Sequence, residues 1–267
     1  MIRTVIAGAS GRMGRALIRL LPEIPELHLH AACVSPGSAQ LGQDAGRLAG
    51  GAEAGVALRA DLAAALQGAQ LLIDFSRASS TVAHVEAARA ARVPLLLGTT
   101  GWQADAEAAM QRAAHDIPLL QAANTSIGVT LLAELVKRAA AALGAEYDIE
   151  IVETHHRAKQ DAPSGTALLL GQAAAVGRDG TLAALRAPLD RDGEARRPGQ
   201  IGIASLRGGD VVGEHAVQFL GPGERVVLQH SATDRALFAR GALRAGRWLA
   251  DQPPGRYHMA DFLTFKS

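Results

Sequence analysis

Short, unbroken apolar runs alternate with segments of helical apolar spacing through the first half of the chain. Residues 4–7 (Thr-Val-Ile-Ala), 71–75 (Leu-Leu-Ile-Asp-Phe), 94–97 and 118–121 are runs of this kind, and a further strand is expected over 28–34. Strands covered on both faces carry such runs in place of a polar-apolar alternation. Between them, apolar residues recur every three or four positions, as at Leu17, Leu20 and Leu21. Helices are therefore expected after Gly14, from an Asp61 cap to Gly68, from Ser79 or Ser80 to Ala91, and over 103–115. Regular alternation of strand and helix predicts a parallel sheet with helices on both faces. Residues 36–55, rich in Gly and Ala, read as a loop with at most a short helix.

The pattern changes near residue 127. A long amphipathic helix is expected over 127–143, and residues 147–154 alternate apolar and acidic side chains, the mark of a strand with one wet face. Three more alternating runs, 201–207, 214–220 and 225–231, are divided by Gly208-Gly209-Asp210 and Gly221-Pro222-Gly223-Glu224, and predict an antiparallel meander. The charged, irregular stretch 177–200 is a candidate mobile loop, and 235–249 a final helix that returns to the first domain. The fold class is thus α/β: a parallel-sheet domain formed by 1–126 with 235–267, and a smaller α+β domain, 127–234, with a mixed, largely antiparallel sheet. A one-sided sheet in so small a domain needs cover, which self-association supplies.

Composition narrows the function. A chain of 267 residues is long enough for two domains with real cores. With net charge +1, interspersed charges and 3% aromatics, it offers neither a phosphate-tracking stripe nor a base-stacking platform, so nucleic acid is not an expected partner. The single cysteine, Cys33, excludes an intramolecular disulfide and a cysteine-cluster metal site; it reads as a small buried hydrophobe in a reducing compartment. No apolar run is long enough to span a membrane, and the apolar run after Met1 is too short for a signal peptide, so a cytoplasmic protein is expected.

Two stretches carry chemistry. Gly8-Ala9-Ser10-Gly11-Arg12-Met13-Gly14 joins a buried strand to a helix, and such glycines let the backbone approach a pyrophosphate while the new helix turns its free N–H groups towards the anion. The spacing, Gly-x-x-Gly-x-x-Gly, matches the generic dinucleotide motif only in part, and an ordinary glycine turn remains the alternative. The second strand ends in Cys33-Val34-Ser35-Pro36-Gly37-Ser38, with no carboxylate before Asp44. A site lacking the ribose-binding acid does not repel a 2′-phosphate, and Ser35, Ser38 and Arg12 can donate to one, which favours NADPH while admitting NADH. Other strand ends point Asp74, Ser76, Arg77, Gly98 and Asn124 at the same crevice.

The denser stretch is 153–167, Glu-Thr-His-His-Arg-Ala-Lys-Gln-Asp-Ala-Pro-Ser-Gly-Thr-Ala. Lysine occurs three times in the chain against twenty-four arginines, and one of the three is Lys159. That choice points to a task for a compact ammonium that can release a proton. His155 and His156 add imidazoles, and Ser164 can cap a helix whose Gly165 and Thr166 N–H groups form a carboxylate-sized anion site. Together they suit proton donation to a dianionic substrate; a basic surface loop is the bland alternative. Zinc binding by Glu153, His155 and His156 lacks a recognised spacing, and no metal is expected. His28 and His30 read as structural, His215 and His230 as surface or interface residues.

These motifs, together with Ile73-Asp74-Phe75-Ser76, Gly98-Thr99-Thr100-Gly101 and Ala122-Ala123-Asn124, resemble the dihydrodipicolinate reductase (4-hydroxy-tetrahydrodipicolinate reductase) family of lysine and diaminopimelate synthesis. The likeness spans the whole chain, and its most specific part is His155-His156-Arg157-Ala158-Lys159 with 161–167. It implies a Rossmann-type domain that binds NAD(P)H, a substrate domain on a mixed sheet, and a homotetramer joined through those sheets. By the same likeness, Gly8, Ala9, Ser10, Gly11, Arg12 and Met13 would hold the pyrophosphate, with Val34 and Ser35 at the adenosine ribose. Gly98, Thr99, Thr100, Ala122, Ala123, Asn124 and Thr125 would line the nicotinamide side. His155 would donate and accept a proton and Lys159 donate one, while His156, Ser164, Gly165 and Thr166 would bind a small dicarboxylate. The implied reaction is hydride transfer to a cyclic imine dicarboxylate with loss of water. The chain departs from the family where Val34 and Ser35 replace a frequent acid–Arg pair, and where Thr125 and Thr130 replace Phe and Asn. Two competing readings are another two-domain NAD(P)-dependent oxidoreductase on an amino-acid-derived substrate, which does not require the paired histidines, and a non-catalytic nucleotide sensor, in which Lys159 would be dispensable.

Overall fold

The computed structural model describes residues 1–188, 193 and 195–263. In chain order the elements are β1 (Ile2–Ala7), α1 (Arg12–Leu20), β2 (Leu27–Cys33), α2 (Ala45–Leu48), β3 (Leu58–Arg59), α3 (Leu62–Ala65), β4 (Leu71–Asp74), α4 (Thr81–Ala91), β5 (Leu95–Leu97), α5 (Ala104–Ala114) and β6 (Pro118–Gln121). There follow α6 (Ile127–Leu143), β7 (Asp148–His155), α7 (Gly165–Gly177), α8 (Leu182–Leu185), β8 (Ile201–Arg207), β9 (Gly213–Gly221), β10 (Glu224–Ala232), α9 (Ala236–Leu249), β11 (Gly255–Tyr257) and α10 (Met259–Phe262). The chain forms two compact units, Met1–Ser126 with Ala236–Ser267, and Ile127–Arg235.

The first unit is built on a seven-stranded, wholly parallel sheet ordered β11-β6-β5-β4-β1-β2-β3. Six of these strands follow the doubly wound order in which ligands lie beyond the strand ends, where the winding reverses between β1 and β4. The unbroken apolar runs are buried as expected: Val5, Ile6, Leu71, Leu72, Ile73 and Leu95 have no exposed surface. Asp44 and Asp61 cap α2 and α3 through their carboxylates. Ser80 occupies the N-cap position of α4 without a side-chain hydrogen bond, because a 3₁₀ turn over Ala78–Ser80 leads into the helix. The sequence pattern also passed over β11, a three-residue strand that adds an edge beside β6.

The second unit has a four-stranded sheet ordered β10-β9-β7-β8. β9 runs antiparallel to both β7 and β10, but β8 pairs in parallel with β7. The expected three-strand meander is therefore corrected: β8 and β9 are separated by β7. The cause is α7, which makes the connection from β7 to β8 a helical crossover, and a crossover of that kind joins parallel neighbours. A core of Val136, Ala140, Ile149, Ile151, Leu170, Val217 and Phe219 joins α6 and α7 to the sheet. Within 177–200 the structure shows α8, and the expectation of a mobile loop falls in part on 189–192 and 194, outside the described residues.

Candidate active site

At the switch point of the parallel sheet, the chain leaves β1 through Gly8, whose φ of 76° lies in the left-handed region. A Cβ there would collide with the Phe75 carbonyl beyond β4, and one at Gly14 with the carbonyl of Gly8. Glycine at both positions draws the turn and the first helical turn tightly together. Gly11 takes the N-cap position of α1 without a side-chain bond, and the first helical N–H to be paired is that of Arg15, on Gly11. Gly11 N–H is bonded to Gly8, and the N–H groups of Arg12, Met13 and Gly14 are left for an anion.

A cavity of about 310 Å³ opens here, lined by Gly8, Ser10, Gly11, Val34 and Ser35 on one side and by Arg77, Ser80 and His84 on the other. Asp74, fully buried at the end of β4, accepts hydrogen bonds from Ser76 N at 2.7 Å and His84 Nδ1 at 2.8 Å. His84 went unnoticed in the sequence, where it is one polar residue on an ordinary helix. Its spacing of four from Ser80 is the only signal that could have found it.

Several expected nucleotide contacts change character. Ala9 is fully buried and its N–H is bonded to Cys33, so it contributes only to the turn. Arg12 is exposed and does not line the cavity, and Ser38 donates its hydroxyl to Gln40 in its own loop, so of the three donors expected for a 2′-phosphate Ser35 alone lines the cavity, with Ser10, Arg77 and Ser80 as further side-chain donors there. Gly98 packs its backbone against the Phe75 ring; Thr99 is buried and Thr100 exposed. At the end of the neighbouring β6, Ala122 is buried, Ala123 is exposed, and Asn124 accepts from Ser126 N. Thr125 is buried and donates to the Phe238 carbonyl, which leaves its backbone as the contribution it can make.

In the second unit β7 buries every other side chain: Ile149, Ile151, Glu153, His155. The first two belong to the core and the last two begin a polar network. Glu153 has no exposed surface and accepts from Arg207 through both carboxylate oxygens at 2.8 Å, from Ser164 N at 3.2 Å and from His155 Nδ1 at 2.5 Å. Burial pushes its carboxyl up, but the hydrogen bonds from Arg207, Ser205 and His155 and the charge of Arg207 outweigh that and hold it at about 2. His155 is lowered from its ordinary value by burial, against the opposing pull of Glu153.

Ser164 caps α7: its Oγ accepts from Ala167 N at 3.1 Å and bonds His215 Nε2 at 2.9 Å. The hydroxyl is thus consumed inside the protein, while Gly165 is exposed and Thr166 half-buried beside it. The surface or interface role expected for His215 is corrected. It is 4% exposed, its ring lies edge-on to His155 at 5.1 Å, and burial, with His155 nearby, lowers its pKa to about 4. Its alternation along β9 gave no sign of this, because the sequence does not say which face of that strand is inward. His230, its partner across β9 and β10, is half-buried.

Lys159 holds Asp161 with Nζ 2.8 Å from both carboxylate oxygens. His156 accepts at Nε2 from Arg235 at 2.9 Å. Arg235 and Arg207 are functional candidates that sequence reasoning missed, since both lie far along the chain from the stretch they join. Glu153, His155 and His215 bring ligand atoms within 4.8 Å of one another. Arg207 occupies both Glu153 oxygens and Ser164 the Nε2 of His215, so the cluster is a hydrogen-bond network around a cationic guanidinium, which a metal ion would oppose.

Residues 2–125 match the family description "Dihydrodipicolinate reductase, N-terminus", and 128–263 match "Dihydrodipicolinate reductase, C-terminus". The chain belongs to the dihydrodipicolinate reductase family. Among its relatives, the 4-hydroxy-tetrahydrodipicolinate reductase of Anaeromyxobacter dehalogenans strain 2CP-1 is 50% identical over 273 residues, covering 100% of this chain and 99% of the relative. That of Bradyrhizobium diazoefficiens is 50% identical over 264 residues, covering 98% and 97%. The dipicolinate-bound dihydrodipicolinate reductase of Paenisporosarcina sp. TG-14 shares the fold, with a TM-score of 0.79 at 22% identity over 97% of each chain. The match over 128–263 includes the segment that carries Glu153, His155, Lys159 and Ser164. No helix among the described residues is long and apolar enough to cross a membrane.

Proposed function

We propose that this dihydrodipicolinate reductase family member reduces 4-hydroxy-tetrahydrodipicolinate to tetrahydrodipicolinate with NAD(P)H, in lysine and diaminopimelate synthesis. The observation that carries the reading is the convergence, in one unit, of two imidazoles, an ammonium and a capped helix N-terminus: His155, His156, Lys159 and Ser164. On this reading 127–234 binds substrate and 1–126 with 235–267 binds the nucleotide. The backbone N–H groups of Gly165 and Thr166, with His156 and Arg235, hold the carboxylates of the dicarboxylate. His155 and Lys159 exchange protons with the ring as the double bond is reduced and water leaves; an imidazole lowered by burial is neutral at pH 7 and ready to accept, and an ammonium to donate.

The fit of a nucleotide rests on the glycine cradle at Gly8 and Gly14 and on the cavity beside it. Gly8, Ser10, Gly11, Arg12 and Met13 would bind pyrophosphate through the turn, and Val34, Ser35 and Arg77 would face the adenosine ribose. The remaining contacts would come from Gly98, Thr99, Thr100, Ala122, Ala123, Asn124 and Thr125. A nicotinamide nucleotide bound there supplies the hydride. Ser35 and Arg77, in a cavity with no carboxylate among its described lining residues, favour NADPH. A homotetramer formed through the four-stranded sheet would cover Val226 and Val227, which are exposed on its edge strand β10, and the expected compartment is the cytoplasm.

The test is an assay of the purified chain with enzymatically generated 4-hydroxy-tetrahydrodipicolinate and each nucleotide. Lys159→Ala and His155→Ala are each expected to lower kcat by about 10²-fold or more, with NADPH affinity unchanged. Full turnover in both variants refutes the assignment. A higher kcat/KM with NADH refutes the nucleotide preference, and a monomer by native mass spectrometry refutes the assembly.

A further inference from the structure

The position of one proton in the buried network follows from its donors and acceptors alone. The Glu153 carboxylate accepts two hydrogen bonds from Arg207, one from Ser164 N and one from His155 Nδ1, and the Ser205 hydroxyl donates to it as well. An ionised carboxylate accepts only, and neither a guanidinium nor a backbone amide can accept in return. Nδ1 of His155 therefore carries hydrogen, and in the neutral ring Nε2 carries none. Among the described residues Nε2 has no hydrogen-bond partner. It stands beside Gly213, where a Cβ would come within 3.0 Å, so glycine leaves that nitrogen approachable. His215 packs edge-on against the same ring at 5.1 Å and is itself held through Ser164, which restricts the imidazole to one orientation.

We propose that Glu153 is the positioning residue for His155, holding its imidazole as the Nδ1–H tautomer and presenting Nε2 as the bare nitrogen that takes up a proton during turnover. The proposal rests on the proton-transfer role given to His155 above. Arg207 and Ser164 take part indirectly, by keeping Glu153 an acceptor and fixing the plane of its carboxylate. The oxygens are shared in pairs: Oε2 by Arg207 and His155, Oε1 by Arg207 and Ser164 N. A glutamine amide placed here would have to find an acceptor for its NH₂ group. The neighbours able to become acceptors are the Ser205 hydroxyl, by turning its hydrogen away, and His155, by moving its hydrogen from Nδ1 to Nε2; Ser205→Ala removes the first and leaves His155.

Long-range ¹H–¹⁵N correlation spectra of the full chain, labelled with ¹⁵N-histidine at pH 7.5, decide the matter, with His155→Asn identifying the His155 signals by their loss. The parent protein is expected to show a protonated Nδ1 and an unprotonated Nε2, and Glu153→Gln combined with Ser205→Ala the reverse. In the same variant kcat is expected to fall by about 10²-fold or more, the scale of a general acid–base contribution, with the nucleotide Kd unchanged. An Nε2–H tautomer in the parent protein overturns the proposal, as does an Nδ1–H tautomer retained when Glu153→Gln is combined with Ser205→Ala. The parent spectrum needs no substitution, so the proposal remains testable if Glu153→Gln does not fold. Full turnover of His155→Asn refutes the proton role of His155 instead, and the spectra then decide the tautomer on their own.

Discussion

Replacing Arg207 with methionine should uncover the cost of the buried Glu153 carboxylate. The substitution keeps an unbranched side chain and removes the two hydrogen bonds of 2.8 Å to Glu153, two more to the Leu206 and Asp161 carbonyls, and the positive charge. Glu153 is held at about 2 in place of its ordinary 4.5. Because the folded value is depressed, its stabilisation is fully present above pH 4.5 and disappears as pH falls towards 2. The gap corresponds to about 3 kcal/mol at pH 7, in the range seen when one partner of a buried pair is removed. Linkage leaves about 2 kcal/mol at pH 3.5, so the difference between parent and variant should narrow by about a third on acidification. Glu153 has no exposed side-chain surface and Arg207 only 19%, so solvent screens the pair little. Urea unfolding followed by far-UV circular dichroism at both pH values measures this. Trp102 and Trp248 both lie in the other unit, so their fluorescence serves as an internal reference expected to stay unchanged. A variant as stable as the parent at pH 7, or a difference that grows in acid, refutes the account.

Three further outcomes follow from single sites. Gly8→Ala places a side chain at φ 76° against the Phe75 carbonyl, and should weaken nucleotide binding at least tenfold by calorimetry while destabilising the chain by about 1–3 kcal/mol. Ser164→Ala removes the cap of α7 and the partner of His215 Nε2, and should cost about 1–2 kcal/mol in denaturant unfolding together with a raised KM for the dicarboxylate. The Cys33 thiol, buried and pushed up to about 12 chiefly by desolvation, should react with a disulfide reagent only after unfolding, as a colorimetric thiol titration with and without urea will show.

Much of the parallel sheet was legible because β1, β4, β5 and β6 are short, mostly apolar and buried, so local sequence and tertiary burial agree, whereas β3 and β11 lack that pattern. The mixed sheet was legible strand by strand but not in its order. The runs at 201–207 and 214–220 look like successive arms of a meander, and only the crossover imposed by α7 puts β7 between them. The same limit applies to the site. His155, Lys159 and Ser164 stood close together in the sequence, whereas Arg207, His215 and Arg235 reach them only through the pairing of β7 with β8 and β9 and the chain's passage beyond β10. Donor commitments were equally hidden: nothing in the string Ser164-Gly165-Thr166 says that the serine hydroxyl is turned inward to His215 while Gly165 is exposed and Thr166 half-buried.

The alternation along β7 has a consequence for how this protein can vary. The inward positions run from Ile149 and Ile151 to Glu153 and His155 without a break, so the core and the buried Glu153–His155 pair are set by one strand register. Slipping that strand by a single residue would put Glu150 and Val152 inward in place of the isoleucines, and Thr154 and His156 in place of the acid and its histidine. No insertion or deletion within 148–155 can then change the chemistry and spare the fold. Descendants of this sequence can retune the site by substitution, or by altering the loops beyond the strand ends, but not by changing the length of β7.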